Sequence, residues 1–506
     1  MHDYGSAGLM RKLALLPAVV ALSASGQVDV PDISTFIHTD YAAPEFPQAL
    51  AVTDVGFDLV GADNDTPDGY PELAVAGNLN GQIRIYRNES TDTMYNDVAL
   101  SPLFFADIDA FGLLVSAGVM TSNESATARI EDIKFAQLTT PDVDPDLLVA
   151  ISYVDSNEDV RGKVVHYRAN RNPFTQIVTG YTFFSIAHLD YPATGIAVAD
   201  FTLDNRSDVI VACQESFAPG GNATRIHKIR NDYDSMSGSY GVLNHIGDEQ
   251  PASPGGNLTS NVVAGDFSNL VVFGTGGGVG NTTDFLTFGG PASTGSVQDG
   301  LILGLGNNSG PFVFSTAELA NDFCGSNSFG LGNGTTRSGA SALVAFDPFA
   351  NADQSFATTN DDKVSILHNR PQRSMFYHLC DGNTTTDIYD MDAGTEQQPD
   401  TYVARANLNG DPFDDLVYIN ASAEVYSILL GLGAPDSNNR IMLHDNQDPD
   451  YYAGYAPNGG TDFDRVICSD LNLDGDDDIV ITRYFYWGTT GACRIVVIQH
   501  SGIMLP

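Results

Sequence analysis

The chain has 506 residues, 64 acidic against 23 basic, and a formal net charge of −41 at pH 7. Its hydrophobic fraction of 42%, with 27 Phe and 21 Tyr, excludes a disordered acidic chain and leaves apolar surface for a large core. Such a charge repels phosphate backbones, so no nucleic-acid partner is expected; it suits divalent cations, a salty medium or plain solubility.

The first element in chain order is "MRKLALLPAVVALSASGQ", starting at Met10. Arg11 and Lys12 form a basic head, Leu13 to Leu22 an apolar stretch, and Ser23-Ala24-Ser25 a small-residue cleavage site. Residues 1–25 therefore read as a secretory signal, with Met10 as an alternative start. The expected location is secreted and extracellular, or periplasmic or cell-surface in a bacterium. The apolar stretch is too short to span a bilayer, so no membrane insertion is expected. Five cysteines (Cys213, Cys324, Cys380, Cys468, Cys493) show no metal-ligand spacing and allow at most two disulfides, with Cys324–Cys380 and Cys468–Cys493 as candidate pairs. Asn-x-Ser/Thr sequons include Asn88, Asn123, Asn205, Asn222, Asn257, Asn281, Asn307, Asn333, Asn383 and Asn420, glycan acceptors in a eukaryotic secretory pathway.

One loop pattern then recurs along the chain. "GADNDTPDGYPELAVAG" carries Asp63, Asp65, Asp68 and Glu72 with one residue inserted. "FAQLTTPDVDPDLLVAIS" keeps that spacing but has Gln137 and Thr139 where Asp would sit. "VADFTLDNRSDVIVA" supplies Asp200, Thr202, Asp204 and Asp208 at positions 1, 3, 5 and 9, with Asn205 at position 6. "AGDFSNLVVFG" and "AFDPFANADQSFATTN" are worn copies beginning at Asp266 and Asp347. "RANLNGDPFDDLVYIN" supplies Asn407, Asn409, Asp411 and Asp415, and "SDLNLDGDDDIVIT" supplies Asp470, Asn472, Asp474 and Asp478, with Gly475 at position 6.

Each copy is followed by a short alternating β-run after a turn, such as "GQIRIYRN", "TRIHKIRN" and "CRIVVIQH". A unit thus reads strand, Asp-rich loop, strand, turn, strand, linker, strand. Seven such units predict an all-β, seven-bladed β-propeller of four-stranded blades over residues 26–506. Too little chain follows the last loop for a full blade, so "STFIHTDYAAPEF" near the N-terminus is expected to close the ring with its missing strand.

The repeated pattern resembles the FG-GAP/VCBS-type repeat of the integrin α-subunit propeller and of many secreted bacterial and eukaryotic proteins. The resemblance covers nearly the whole mature chain and is sharpest at 470 and 407. A literal Phe-Gly…Gly-Ala-Pro signature is absent, and "VGFDLVGAD" at 55–63 is its nearest approach. In that family the loops hold structural calcium that bridges the first two strands of a blade.

The residue types agree with that chemistry. Ca²⁺ takes six to eight oxygens, and alternate residues of a tight loop turn theirs inward. The expected ligands are the side chains of Asp470, Asn472, Asp474 and Asp478 with the Asp476 carbonyl, and likewise the 407 and 200 loops with the carbonyls of Phe413 and Arg206. Asp63, Asp65, Asp68 and Glu72 form a fourth candidate, making about two to four structural ions. The competing reading is that Asp, Asn and Gly are turn residues joining strands, and it prevails at 137, 266 and 347. An EF-hand is excluded, because position 12 is Ile481 where a Glu is required.

No H-E-x-x-H, G-x-S-x-G, P-loop or Rossmann pattern is present. The glycine-rich "FGTGGGVGN" lacks a following helix and a Lys, and the ten histidines are scattered, with His166, His227 and His368 inside strand runs. Long inserts at 275–297, 320–340, 381–400 and 445–462 offer binding surface, the last with Tyr451, Tyr452 and Tyr455 as candidate contacts. The expected function is an extracellular interaction or adhesion module with a protein or glycan partner. The alternative is a carbohydrate-active enzyme, a polysaccharide lyase or hydrolase, because carboxylate pairs abound.

Overall fold

The computed structural model describes residues 36–55, 69–88, 90, 98, 100–102, 108–139, 145–172, 178–202, 204, 206–215, 223–234, 239–249, 262–265, 283–289, 300–306, 314–319, 343–346, 355–360, 363–367, 380–381, 384–385, 388–390, 401–420, 425–431, 443–445, 461–485 and 493–500. The expected signal segment lies outside these residues. No helix among them is long and apolar enough to cross a membrane.

The described chain is all-β and propeller-like, built from consecutive antiparallel strands. Sheet 1 pairs Pro47–Thr53, Glu72–Gly77, Gln82–Asn88 and Leu100–Pro102, with Ile108–Asp109 also on the third strand. Sheet 2 holds Arg129–Ala136, Asp146–Val154, Val160–Arg171 and Val178–Leu189, and sheet 3 Ala193–Ala199, Asp208–Glu215, Ala223–Asp234 and Ser239–Glu249. Sheet 4 holds Val262–Gly265, Asp284–Gly289, Gly300–Gly306 and Phe314–Leu319; sheet 5 Leu343–Phe346, Ser355–Asn360, Lys363–Leu367 and Ile388–Asp390. Sheet 6 holds Thr401–Ala406, Asp415–Asn420, Val425–Gly431 and Leu443–Asp445. Sheet 7 holds Thr461–Ser469, Asp478–Phe485 and Arg494–His500, and its fourth strand is Phe36–Ala42, antiparallel to the third with Phe36 opposite His500. A two-stranded ribbon, Cys380–Asp381 with Thr384–Thr385, completes the set.

The second strand of each unit explains why these sequences stack. "ELAVAG" and "DLLVAISYV" are continuous apolar runs after one acidic residue, as a strand buried on both faces requires. Side chains alternate between faces. Leu73 and Val75 pack with Leu471, Val480 and Val497 of sheet 7, while Ala74 and Ala76 pack with Ile130, Leu147 and Val149 of sheet 2. Leu148 and Ala150 then meet Val209 and Val211 of sheet 3, whose Ile210 and Ala212 face Val262 and Phe285 of sheet 4. Each such Val, Leu or Ile contributes about 1.5–3 kcal/mol by leaving water. The first strands follow suit: Pro47–Thr53 touches Arg129–Ala136, and contacts continue through Ala193–Ala199, Val262–Gly265, Leu343–Phe346, Thr401–Ala406 and Thr461–Ser469, which touches Pro47–Thr53 again.

Two short helices, Ala110–Ser116 and Ser122–Thr127, join sheets 1 and 2. They are capped by Asp109 and by a Thr121–Glu124 capping box. At seven and six residues they are too short to carry a helical period in the sequence.

The candidate Cys468–Cys493 disulfide is not formed, and both thiols are free. Cys468 lies opposite Ile479, and Ile479 lies opposite Ile498, five residues beyond Cys493 along the third strand. The Cys493 sulfur instead accepts the Phe46 N–H at 3.3 Å. Cys324, of the other candidate pair, is outside the described residues.

Candidate functional site

The recurring loops sit where the first strand of a sheet passes to the second. In sheet 7, the Asp470 carboxylate accepts the N–H groups of Asp474 (3.1 Å) and Gly475 (3.0 Å). Asn472 Oδ1 accepts from Asp474 N at 3.1 Å, Asp474 Oδ1 from Asp476 N at 3.0 Å, and Asp478 Oδ2 from Leu471 N at 3.0 Å. The loop therefore gathers Asp470, Asn472, Asp474 and Asp478. Burial, with the Asp474 charge adding to it, raises Asp470, and burial raises Asp478 well above the usual carboxylate range.

The sheet 6 loop repeats this arrangement. Asp411 N donates to Asn409 Oδ1 at 3.2 Å, Phe413 N to Asp411 Oδ1 at 2.8 Å, and Asn407 Nδ2 to the Asp411 carbonyl at 2.7 Å. Asn407 Oδ1 is buried with no hydrogen-bond partner, an acceptor beside carboxylates that a cation would satisfy. The left-handed turn shared by both loops falls at position 4, Leu473 (φ 59°) and Gly410 (φ 65°). Position 6 is positive only at Gly475 (φ 100°), its counterpart being Pro412. A Cβ on Gly410 would stand 2.9 Å from Asp476 Oδ1, because the two loops abut. Asn407 N donates to Asp477 Oδ2 at 2.7 Å, and Asp477 N returns a bond to the Asn407 carbonyl at 2.6 Å.

In sheet 3, Asp200 Oδ1 accepts from Thr202 N (3.2 Å) and Asp204 N (3.1 Å). Here the chain supplies its own cation: the Arg206 guanidinium binds Asp204 and lies 4.0 Å over the Tyr240 ring. Arg206, expected to supply a carbonyl, places a charged side chain on this loop, whose charge is partly neutralised. In sheet 1, Glu72 Oε2 accepts Val55 N at 2.8 Å; Asp63, Asp65 and Asp68 lie outside the described residues.

One feature of these loops is missing from the sequence reading. Six sheets begin their second strand with a carboxylate at 0–2% exposure: Glu72, Asp146, Asp208, Asp284, Asp415 and Asp478. Asp415 shows why: Oδ2 accepts Leu408 N at 2.7 Å and Oδ1 accepts Gly431 N at 2.8 Å, so one side chain ties the loop to the third strand. Asp208 does the same with Thr202 N (3.1 Å) and Asn231 N (2.9 Å), and Asp146 with Thr139 N (3.0 Å) and Ala169 N (3.0 Å). The sequence signal for Asp146 and Asp284 is an acidic residue immediately before an apolar run, "DLLVAIS" and "DFLTFG".

Burial pushes Asp208 up to about 6 and Asp415 up to about 7, from an ordinary 3.8. The folded state then binds their protons more tightly than the unfolded chain, so their contribution is fully present below the unfolded value and lost as pH rises through 6 to 7. In EDTA the melting temperature is therefore expected to fall between about pH 5 and about pH 8. A flat or rising profile in EDTA would contradict this.

Asparagines that end the third-strand runs join neighbouring sheets. Asn88 Nδ2 donates to the Leu471 carbonyl of sheet 7 at 2.5 Å, and Asn231 Nδ2 to the Leu138 carbonyl at 2.9 Å. Asn88 is 3% exposed, so this sequon's nitrogen is committed inside the fold. Asn123 is exposed on its helix, and the Asn420 backbone ends a sheet 6 strand. The other sequon asparagines, and Tyr451, Tyr452 and Tyr455, lie outside the described residues.

Sheet 3 also holds a group that the sequence did not mark. Among the described residues, His227, His245 and Asp248 bring three donor atoms within 4.8 Å of one another. Burial lowers His227 to about 4.

No family model and no curated protein matches the chain. Solved structures similar to it include an Agrocybe aegerita lectin recognising non-reducing terminal N-acetylglucosamine, at 13% identity and TM-score 0.41 over 83% of each chain. Another is the soluble aldose sugar dehydrogenase of Escherichia coli, at 11% identity and TM-score 0.33, covering 92% of this chain and 100% of that one. A third is a V. cholerae biofilm matrix protein, at 9% identity and TM-score 0.31, covering 92% and 89%. These likenesses are distant, and the functional reading rests on the chain's own residues.

Proposed function

We propose that the mature chain is a calcium-stabilised, seven-bladed β-propeller of the FG-GAP/VCBS type, exported from the cell, that serves as an extracellular interaction module for a protein or glycan. The observation that carries this reading is the cyclic order of the sheets together with their shared loops. Seven sheets stack through their first strands, the seventh touches the first, and Asn88 and Leu471 bond across that junction. Pairing of Phe36–Ala42 with Arg494–His500 supports closure by the N-terminal strand.

The loops at 470 and 407 support calcium through clustered carboxylates and the unpartnered Asn407 oxygen, a donor set of the hard-oxygen kind that Ca²⁺ takes. The ion would be held by Asp470, Asn472, Asp474 and Asp478, and by Asn407, Asn409, Asp411 and Asp415. The recurring carboxylates that begin the second strands are occupied by backbone N–H groups, which suits holding loops rather than proton transfer to a substrate. That favours a binding module over a hydrolase.

The test is incubation of the mature protein, in millimolar calcium, with a polysaccharide panel, measuring retained protein and new chain ends together. Retention without cleavage is the expected result for a glycan partner, and neither retention nor new chain ends would assign the module a protein partner. New chain ends would overturn the binding reading in favour of a carbohydrate-active enzyme.

A further inference from the structure

We propose that His227, His245 and Asp248 form a binding site for a divalent transition-metal ion of the zinc class, separate from the Asp-rich loops. The two histidines are 18 residues apart and meet only through strand pairing between Ala223–Asp234 and Ser239–Glu249. His227 lies opposite Asp248 and Ile229 opposite His245, so the register skips Ile246. In a regular strand, residues three apart point to opposite faces. The extra residue at Ile246 cancels that alternation and brings His245 and Asp248 to the face that carries His227. Ile246 itself turns outward, at 38% exposure. Gly247 permits the bulge, with a φ of 145° that side chains rarely adopt.

The donor atoms form a tight triangle. Asp248 Oδ1 is 2.6 Å from His227 Nδ1 and 2.6 Å from His245 Nε2, and the two nitrogens are 3.0 Å apart. An ion at roughly 2.0–2.2 Å from each atom fits above the plane of that triangle. Two imidazole nitrogens and a carboxylate are a donor set for zinc and its neighbours, whereas calcium prefers oxygen alone.

Without an ion the cluster is awkward. Both ring nitrogens crowd one carboxylate oxygen, and if both carry protons their N–H dipoles lie side by side. A metal ligated by all three atoms removes that conflict, with each neutral ring keeping its one proton on the nitrogen that faces away from the ion.

The setting is that of a built site. His227 is fully buried, its ring 6.0 Å from that of Tyr191 and 4.9 Å from that of His245, so one ligand is positioned by packing. His227 Nε2 is buried with no hydrogen-bond partner, so the ring's polar contacts run through Nδ1 and this cluster. The side chains of His245 and Asp248 are 26% and 25% exposed, which leaves an entry path and a fourth position facing water. Bound there, the ion would pin the outer strand of sheet 3 to the strand beside it.

The experiment uses metal-stripped full-length protein in excess calcium, so that the Asp-rich loops are saturated, titrated with Co²⁺ and then Zn²⁺. The expected result is one Co²⁺ per chain with the intense visible bands of a low-coordinate nitrogen-ligated ion, displaced by Zn²⁺. His245→Ala is expected to weaken Zn²⁺ binding roughly 100-fold while leaving the calcium-dependent melt unchanged. Asp248→Asn, which keeps the side-chain shape, serves as the second variant should His245→Ala not fold. Absence of the bands and of a zinc-dependent melting shift in the parent protein would overturn the proposal, as would parent-like zinc affinity in either folded variant. Neither outcome bears on calcium, which the same titration holds constant.

Discussion

Asp415→Ala is expected to destabilise the protein by about 2–5 kcal/mol in urea unfolding. The Asp415 carboxylate is fully buried and accepts the N–H groups of Leu408 and Gly431, so alanine leaves two buried donors unpaired. Each such donor costs about 1–3 kcal/mol, against a partial gain from no longer burying a charge. Asp415→Asn keeps one acceptor oxygen and is expected to lose roughly half as much. Asp159→Ala, at an exposed turn, is the control and should fall within about 0.5 kcal/mol of the parent. A loss below about 1 kcal/mol for Asp415→Ala would show that water or loop rearrangement satisfies both donors, and that the carboxylate is no clamp.

Chelation carries the second large effect. EDTA is expected to lower the melting temperature reversibly, because calcium at about 100 times its Kd stabilises the fold by about 2.7 kcal/mol per site. Asp474→Ala should reproduce part of that loss and reduce the remaining response to EDTA. The loss should exceed that of one isolated site, since the neighbouring loop is held by the reciprocal Asn407–Asp477 bonds. Asp204→Ala should change the EDTA response least, because Arg206 already places a cation on that carboxylate. A melt that EDTA leaves unchanged would sink the calcium reading, whatever the variants do.

Much of the strand plan was legible because it is written in local periodicity. "GQIRIYRN" is the third strand of sheet 1, "TRIHKIRN" falls in the third strand of sheet 3, and "CRIVVIQH" contains the third strand of sheet 7. "STFIHTDYAAPEF" contains Phe36–Ala42, and the worn copies at 137 and 347 still introduce strands. The loops were legible only as donor inventories. That Asp415, Asp208 and Asp146 hold backbone N–H groups depends on the third strand lying beside them, which loop spacing does not reveal. Asn88 read as a glycan acceptor because a sequon is three residues long, whereas its burial is set by Leu471, 383 residues away.

By itself, then, the sequence determined the all-β class, the repeating unit, the acidic loops and the strand that pairs with the last repeat. Alternating apolar residues and turn chemistry act over a few neighbours, so they survive without a partner. Only the tertiary structure decided which carboxylates are buried clamps, that Arg206 neutralises its own loop, that Cys468 and Cys493 stand apart, and that His227 meets His245 and Asp248. Those outcomes turn on register and on stacking between sheets, and the single extra residue at Ile246 reverses which face its neighbours share.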